Sequence, residues 1–416
     1  MIGKIAWKNT WFKPLNTVLS IILLTASVAI ITVIILLQKQ FEDQFNKTMD
    51  NVDLVLGAKG SPLQLVLSSL YQIDAPPGNI SYSEAKQWMH HPFVDTAIPL
   101  AYGDNYMGYK IVGTTEDYIH KFDGVLAEGK SNEKDFEVVI GANIASNLDL
   151  KIGDTFYGSH GDVNAEVHED HPYTIVGILA PTGQLIDNII VSNISSVWHI
   201  HEHEHDEEMI ADDHHHEESD VHDHDHEEEH EHDEGKELTA VLLKLKNNMA
   251  KMTWQRMIPQ NTNMQAASPA LEINRLFALF GVGLQAIQYL AYGIMLISGI
   301  SIFVALYNTL KERKYEFALL RIHGASKHQL FGMILIESLF LCAIGYIFGM
   351  ILGRVALYFI SLASKEEFRL TFNPFEIVWE KEIWLLTITL GVGVIAALIP
   401  AAKAYSLNIS KTLAHA

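Results

Sequence analysis

Apolar residues concentrate in four stretches of the chain, and a long mixed segment separates the first from the other three. The first stretch, residues 18–38, contains twenty consecutive residues without a charged side chain. At about 1.5 Å per residue, a helix of that length covers the roughly 30 Å hydrocarbon core of a bilayer. The others occupy residues 276–310, 330–354 and 383–402. The pattern therefore predicts four transmembrane helices, with residues 39–275 between the first and the second.

The first two stretches each allow a second interpretation. Lysines precede residues 18–38, as in a cleavable signal peptide, but the stretch is long for one and no small-residue cleavage site follows. We therefore expect an uncleaved helix. Residues 276–310 exceed the thickness of a bilayer, and their first part carries Gln285 and Gln288. That part is expected to project outside the membrane as a stalk.

The lysines and arginines indicate the orientation. Residues 1–17 contain three lysines and no acid, residues 311–329 contain five basic residues, and residues 403–416 contain two lysines. Because basic segments tend to stay in the cytoplasm, all three are predicted to be cytoplasmic, the first as an amphipathic N-terminus. Four helices then place residues 39–275 and the loop 355–382 outside.

The outside segment carries short strand patterns and a few helical ones. Apolar runs bounded by turn residues predict the strands, and a mixed run predicts a helix. The strands lie near residues 137–141, 171–180, 188–194 and 237–246, and the helix lies at 82–91. Residues 199–234 are too polar to bury a core and are predicted to be a disordered insertion inside this domain. The predicted fold class is an α-helical membrane protein with a large mixed α/β extracytoplasmic domain.

Charge and cysteine content exclude some classes of protein. The formal charge is −21, but eighteen of the 50 acidic residues lie between residues 199 and 235, and without them the balance is −3. The acidity is therefore local, and nothing indicates a nucleic-acid partner. The single cysteine, Cys342, lies in an apolar stretch, which excludes an intramolecular disulfide and a cysteine-based metal site.

Residues 124–131, GVLAEGKS, match the letters of a phosphate-binding P-loop. A working P-loop follows an apolar strand and opens a helix at its lysine, so that backbone N–H groups surround the phosphates. Here IHKFD precedes the motif and NEKDF follows it, and the orientation places it outside the cell. We interpret it as a glycine-bounded turn, so ATP would be bound only by a partner.

The cytoplasmic segment after the second apolar stretch has the pattern of a short amphipathic helix. Phe317, Leu319 and Leu320 form an apolar cluster flanked by charges, and residues 324–326 form a turn before the next helix. Such a helix can dock in a groove on a soluble partner. From the residues alone, a helix lying on the membrane surface is an equal alternative.

Three stretches resemble one family. The sequence RKYEFALLRIHGASKHQL from Arg313 is similar to the coupling-region signature of the MacB/FtsX/LolC-type ABC transporter permeases. The ending IAALIPAAKAYSLNISKTL and the outside stretches EVVIGANIASNLDLKIGDTF and HPYTIVGILAPTGQLIDNIIVSN also resemble that family. With the layout of one helix and then three, the resemblance covers nearly the whole chain.

The resemblance implies a mechanism. Two permease copies, or a permease and a paralogue, pair with two cytoplasmic ABC ATPases in the inner membrane of a bacterium. ATP-driven closure of the ATPases pushes the coupling helices, and the first two spans carry the motion to the outside domains. The permease itself is then no enzyme. By match to the signature, the coupling positions are Arg313, Glu316, Phe317, Leu320, Arg321, Gly324 and Ala325.

Polar and small residues inside the third apolar stretch have two interpretations each. Glu337 is either part of a proton or ion relay or a carboxylate satisfied by neighbouring segments, and we favour the second. Gly345, Gly349 and Gly353 repeat at four-residue intervals, which favours close packing on another span or subunit over a lipid-facing helix.

The polar insertion is rich in histidine. Imidazole nitrogens and carboxylate oxygens are ligands for zinc and other transition metals, so the insertion is predicted to bind several ions weakly. The candidate ligands are His199, His201, His203, His205, His214, His215, His216, His222, His224, His226, His230 and His232. No tightly bound cofactor is expected. Elsewhere in the domain, His90, His91, His160, His168 and His171 are interpreted as ordinary surface residues.

The common family pattern lacks this insertion, which leaves the substrate open. The leading hypothesis is a permease subunit in zinc or other metal handling, with an extracytoplasmic metal-binding or substrate protein as a further partner. One alternative is a complex that exports lipoproteins, lipids or peptides and has a metal-responsive loop. The other is a regulator of envelope hydrolases or division. Whether metal is cargo, signal or neither stays open.

Overall fold

The computed structural model describes residues 14–159, 171–200, 235–367 and 372–406. The chain forms two compact units. The outside unit comprises residues 44–277, and the membrane unit comprises the residues before and after it. This confirms the predicted layout of one membrane helix, a large mixed domain and three further membrane helices.

The elements are numbered in chain order. The helices are α1 (Pro14–Met49), α2 (Pro62–Leu70), α3 (Tyr82–Met89), α4 (Glu116–Lys121), α5 (Ala142–Leu148), α6 (Asn248–Asn261), α7 (Pro269–Glu312), α8 (Lys314–Ile322), α9 (Lys327–Glu367) and α10 (Trp379–Tyr405). The strands are β1 (Leu54–Ala58), β2 (Ile80–Ser81), β3 (Val94–Tyr106), β4 (Tyr109–Thr114), β5 (Leu126–Gly129), β6 (Glu137–Ile140), β7 (Thr155–Phe156), β8 (Tyr173–Leu179), β9 (Ile190–Asn193), β10 (Glu237–Leu238), β11 (Ala240–Leu245) and β12 (Met264–Ala267). A 3₁₀ helix occupies Leu185–Asn188, and residues 194–200 are also helical.

Four helices, α1, α7, α9 and α10, are long and apolar enough to cross a membrane. Two of them are much longer than a bilayer requires. Helix α1 has 36 residues and α7 has 44. At about 1.5 Å per residue, α7 is about twice as long as a roughly 30 Å hydrocarbon core is thick. The last turns of α1 and the first turns of α7 are accordingly part of the outside unit.

The outside unit is built on one large, mainly antiparallel sheet. Its strand order is β12-β1-β11-β3-β4-β9-β6-β8-β5, with β7 added beside β8. Strands β4 and β9, and strands β6 and β8, pair in parallel. Strand β9 precedes residues 201–234 and β11 follows them, and both belong to this sheet. The histidine-rich tract therefore interrupts a single folded domain.

Alternating residues along the strands face opposite sides of the sheet, and each side has its own hydrophobic core. In β1, Val55 packs on one face, while Leu54 and Leu56 pack on the other. Helices α2 and α4 cover the first face, for example through Leu65. Helices α3 and α6 cover the second, for example through Trp254. The period of two along the strand is thus what holds helices on both sides of the sheet.

The strand predicted over residues 237–246 is two strands. Strand β10 pairs with β2, whereas β11 pairs with β1 and β3. The chain changes partner at Thr239, whose N–H donates to the Leu100 carbonyl at 2.8 Å and whose hydroxyl accepts from the Tyr102 N–H at 3.0 Å. The stretch is divided because its two parts pair with different strands. The local pattern of apolar residues does not specify which strand each part will pair with.

Candidate coupling site

Helix α8 lies between two membrane-crossing helices and has two distinct faces. Phe317 and Ala318 are buried, and Phe317 belongs to the core of the membrane unit. Tyr315 and Ile322 are 48% and 57% exposed. The inner face thus anchors the helix to the membrane unit, and the outer face presents apolar surface. Phe317 is therefore an anchor of α8, whereas the cluster containing it was a candidate docking surface in the sequence.

Charged side chains close the start and the end of α8. The Arg313 guanidinium donates to Glu316 Oε2 through Nε, at 2.7 Å, and through Nη2. At the other end, Arg321 Nη1 donates to the Ala325 carbonyl at 2.9 Å. Both arginines of the signature therefore make hydrogen bonds within the coupling segment, Arg313 at the start of α8 and Arg321 to a residue just after its end.

The turn into α9 is specified by glycine and a reciprocal cap. Gly324 has a φ of +94°, a conformation that other residues adopt only with strain. The Ser326 N–H donates to Gln329 Oε1 at 2.8 Å, and the Gln329 N–H donates to Ser326 Oγ at 3.2 Å. This exchange is a capping box, which starts α9. Signature residues from Arg313 to Ser326 thus build one defined corner between two helices.

Two aromatic residues join helix ends on the same side of the membrane unit. Lys403 Nζ donates to the Tyr307 hydroxyl at 2.6 Å and lies 4.5 Å from the centre of that ring. Lys327 lies over the Tyr405 ring at 5.6 Å. These contacts connect α10 to α7 and to α9. Sequence reasoning missed them, although basic residues and tyrosines near helix ends were visible in the sequence.

The carboxylate inside the membrane unit is enclosed. Glu337 is 5% exposed and lies inside the membrane-crossing helix α9. The choice between a carboxylate satisfied by neighbouring segments and an ion relay stays a prediction.

The three glycines of α9 face α1 of the same chain. A Cβ atom at Gly345 would lie 2.6 Å from Leu24 Cδ2, and one at Gly349 would lie 2.5 Å from Val28 Cβ. One at Gly353 would lie 2.9 Å from the Ala29 carbonyl oxygen. Helix α9 therefore approaches α1 more closely than any larger residue permits.

Most of the candidate metal ligands lie outside the described residues. These are the eleven histidines from His201 to His232, and His160 and His168 are outside them too. His199 is described, and its Nε2 lies 3.6 Å from Asp135 Oδ2. Within the described part of the chain, no group of three or more His, Cys, Asp or Glu side chains has the arrangement of a metal site.

The remaining described histidines make local contacts. His90 Nδ1 lies 2.9 Å from the Lys86 carbonyl, and His91 Nδ1 accepts from the Phe93 N–H at 3.2 Å. The His171 ring stacks on Phe136 at 4.9 Å.

The segment with P-loop letters is a strand at the sheet edge. Gly129, with φ +86°, ends β5, and a Cβ there would lie 2.1 Å from the Val176 carbonyl oxygen. Lys130 Nζ lies 2.9 Å from Glu137 Oε1, and this hydrogen bond lowers the pKa of the Glu137 carboxyl. Residues 130–136, all described, contain no helix. The lysine is committed to an ion pair and no phosphate cradle follows it.

Two family models match this chain. The model described as FtsX-like permease C-terminal matches residues 289–409. The model described as MacB-like periplasmic core domain matches residues 15–221. The chain belongs to the MacB/FtsX-type ABC transporter permease family. It is accordingly a multi-pass protein of the inner membrane, with its large domain outside the cytoplasm.

One curated relative of this permease spans nearly the same length. An uncharacterized ABC transporter permease of Methanocaldococcus jannaschii is 23% identical over 427 residues, which cover 98% of this chain and 96% of the relative. The alignment includes both the membrane unit and the outside unit.

Two solved structures are similar to part of the permease. The periplasmic region of MacB from Actinobacillus actinomycetemcomitans is 9% identical and has a TM-score of 0.34, with 55% of this chain and 95% of that one covered. The extracellular domain of the noncanonic ABC-type transporter YknZ from Gram-positive bacteria is 10% identical with a TM-score of 0.31, covering 52% and 99%. Both scores are low, so the family assignment rests on the sequence comparisons.

Proposed function

We propose that this permease couples ATP hydrolysis by a separate cytoplasmic ABC ATPase to movement of its outside unit. The observation that carries the proposal is the two-faced helix α8. Phe317 anchors it in the membrane unit, while Tyr315 and Ile322 leave apolar surface exposed. A force applied to the outer face of such a helix reaches the membrane unit through a packed side chain and a capped corner.

The outer face of α8 also has the composition of a docking surface. Exposed aromatic and aliphatic residues beside charge are typical of helices that bind in grooves. Lys314 and Glu316 are exposed beside Tyr315. We infer that an ABC ATPase binds this face and that ATP is bound only by that partner. A second permease copy or a paralogue completes the complex.

The test uses the full permease, co-purified with its ATPase and reconstituted in lipid nanodiscs. Spin labels on two sites of the outside unit and one in the membrane unit report movement on addition of Mg-ATP. We expect ATP-dependent changes in the distances between these labels in wild type.

Ile322→Asp, which places a charge in the docking face, tests the binding of the ATPase. It should reduce ATPase binding at least tenfold, because a buried unpaired charge costs more than about 1.4 kcal/mol. The control is Met252→Asp, which places the same charge at an exposed apolar position in α6 of the outside unit. Equal binding by wild type and Ile322→Asp would contradict the docking face.

For the substrate, we propose metal handling, with zinc as the first ion to examine. What supports it is the density of histidine in the tract: twelve between residues 199 and 232. Growth and metal content of a deletion strain, under zinc starvation and under zinc excess, test it. A phenotype in neither condition would favour the alternatives, export of lipoproteins, lipids or peptides, or regulation of envelope hydrolases.

A further inference from the structure

The end of α1 is fastened inside the outside unit by two side chains from other helices. The Tyr71 hydroxyl, just after α2, donates to the Phe45 carbonyl at 2.9 Å. Lys121 Nζ, at the end of α4, donates to the Thr48 carbonyl at 2.7 Å and to the Asp50 carbonyl at 3.3 Å. Both donors therefore act on carbonyls of the last turns of one helix.

Aromatic packing brings the second long helix to the same place. The Phe45 ring lies 4.6 Å from the Tyr71 ring and 5.5 Å from the Phe277 ring of α7. Phe45, Met49 and Phe277 pack against the core that lies under α2 and α4. The end of α1 and the start of α7 thus meet around Phe45, inside the outside unit.

The chemistry of a helix end explains why a lysine suits this position. The last carbonyls of a helix have no partner in the helix itself, and a lysine amine can donate hydrogen bonds to them whether it is charged or neutral. Lys121 is partly buried and lies 4.5 Å from the centre of the Phe122 ring. Burial lowers the pKa of Lys121 from 10.5 to about 8, against the opposing effect of the Asp50 and Asp123 carboxylates that face it.

We propose that Tyr71 and Lys121 are positioning residues that form a joint, through which movement of α1 is passed to the outside unit. The joint itself is a structural feature, but its role in transport rests on the function proposed above. Without the two donors, the end of α1 would keep its apolar contacts and lose the hydrogen bonds that fix its rotation and depth.

The first experiment measures the joint without any ATPase. A nitroxide at Asn46→Cys, an exposed position in the last turns of α1, reports the ratio of mobile to immobile label in the full chain in nanodiscs. The native Cys342 is fully buried and is replaced by serine in all variants. Tyr71→Phe should raise the mobile ratio by about three- to tenfold, as expected for one lost hydrogen bond. Tyr118→Phe is the control, because it removes a hydroxyl that is buried in the same core and makes no hydrogen bond to α1.

The contribution of Lys121 to the joint should also depend on pH. When the helix end is released, the lysine regains an ordinary pKa near 10.5, whereas in the joint the pKa is about 8. Between these values the released state holds a proton that the joined state lacks, so the joint tightens as pH rises from 8 toward 10.5. The mobile ratio in wild type should fall over this range, and in Lys121→Met it should be independent of pH.

Lys110→Met is the control for the pH experiment. Lys110 is also partly buried, and its Nζ donates to the Asp74 carbonyl at 3.1 Å. The substitution Lys110→Met should leave the pH response of the label at Asn46→Cys unchanged. An unchanged mobile ratio in Tyr71→Phe, or a wild-type pH response in Lys121→Met, would overturn the joint.

A second measurement separates the joint from the proposed function. In the complex with its ATPase, the double variant Tyr71→Phe, Lys121→Met should hydrolyse ATP at the wild-type rate, while ATP-dependent movement of the outside unit falls by half or more. Equal movement in wild type and double variant rejects the joint as a transmitting element. No movement in wild type rejects the proposed coupling, while the label at Asn46 still decides the joint.

Discussion

Lys130 occupies the lysine position of a phosphate-binding motif, but its contacts in the structure are those of a residue in a turn. It follows Gly129, whose backbone conformation and close approach to Val176 admit only glycine. Its N–H donates to the Val176 carbonyl at 2.9 Å, and its Nζ pairs with Glu137. Glu137 in turn accepts from the backbone N–H groups of Glu133 and Lys134. The residues of this motif thus organise a turn at the sheet edge.

Replacement of Lys130 by alanine is therefore expected to be nearly silent. The Lys130 side chain is 55% exposed in its ion pair with Glu137, and ion pairs at the protein surface contribute about 0–1 kcal/mol to folding. ATP hydrolysis by the assembled complex should match wild type within error, measured as phosphate release. A loss of more than tenfold, with the permease folded and inserted, would mean that this segment binds nucleotide.

At the scale of elements, the corner between α8 and α9 depends on one backbone conformation. Gly324, at φ +94°, has no atom within 4 Å of the Cβ position, so space does not limit it and conformation does. Proline fixes φ near −65° and cannot adopt this turn. Gly324→Pro should therefore change the angle between α8 and α9.

The expected outcome for Gly324→Pro is uncoupling. ATPase binding or ATP-dependent movement of the outside unit should fall at least tenfold, while the amount of protein in the membrane stays at the wild-type level. Gly332→Ala, in α9 with open space at Cβ, is the control. Full movement in Gly324→Pro at normal membrane levels would contradict the role of the corner.

The packing of α9 against α1 also depends on a single glycine position. A leucine at Gly349 would collide with Val28, whose Cβ lies 2.5 Å from the position of a new Cβ. Overpacking of this kind costs about 1–3 kcal/mol or more. Gly349→Leu should lower the thermal unfolding midpoint in detergent by several degrees, and Gly332→Leu should not. Equal midpoints for the two variants would show that the helices separate freely.

At the scale of the whole molecule, the histidine tract lies between strands of one sheet. The chain enters it after β9 and returns through β10 to β11, which lies between β1 and β3. The described strands on both sides of residues 201–234 pair within this sheet, and changes inside the tract are expected to leave the folded domain intact.

Zinc titration of the full chain tests the tract. Wild type should bind more than one zinc ion per chain, because each ion needs only about four donors. Binding should weaken as pH falls through about 6.5, since protons compete for the imidazole nitrogens. A variant with asparagine at every histidine from 201 to 232 keeps length and carboxylates and should lose this binding. Equal stoichiometry in the two proteins, by calorimetry, would remove metal from the proposed function.

The sequence by itself determined the features that depend on neighbours along the chain. Runs of apolar residues located the four membrane helices, basic residues indicated their orientation, and the spacing from Arg313 to Ser326 indicated a two-helix corner. These patterns are readable because periodicity, capping and turn conformation are decided within a few residues.

Only the tertiary structure decided what distant residues do to each other. It placed β11 between β1 and β3, turned Phe317 inward, and put Val28 opposite Gly349. It also brought Lys121 to the end of α1, 73 residues away along the chain. No local pattern specifies such contacts, because many partners offer the same apolar surface or carbonyl group, and the choice among them belongs to the packing of the whole chain.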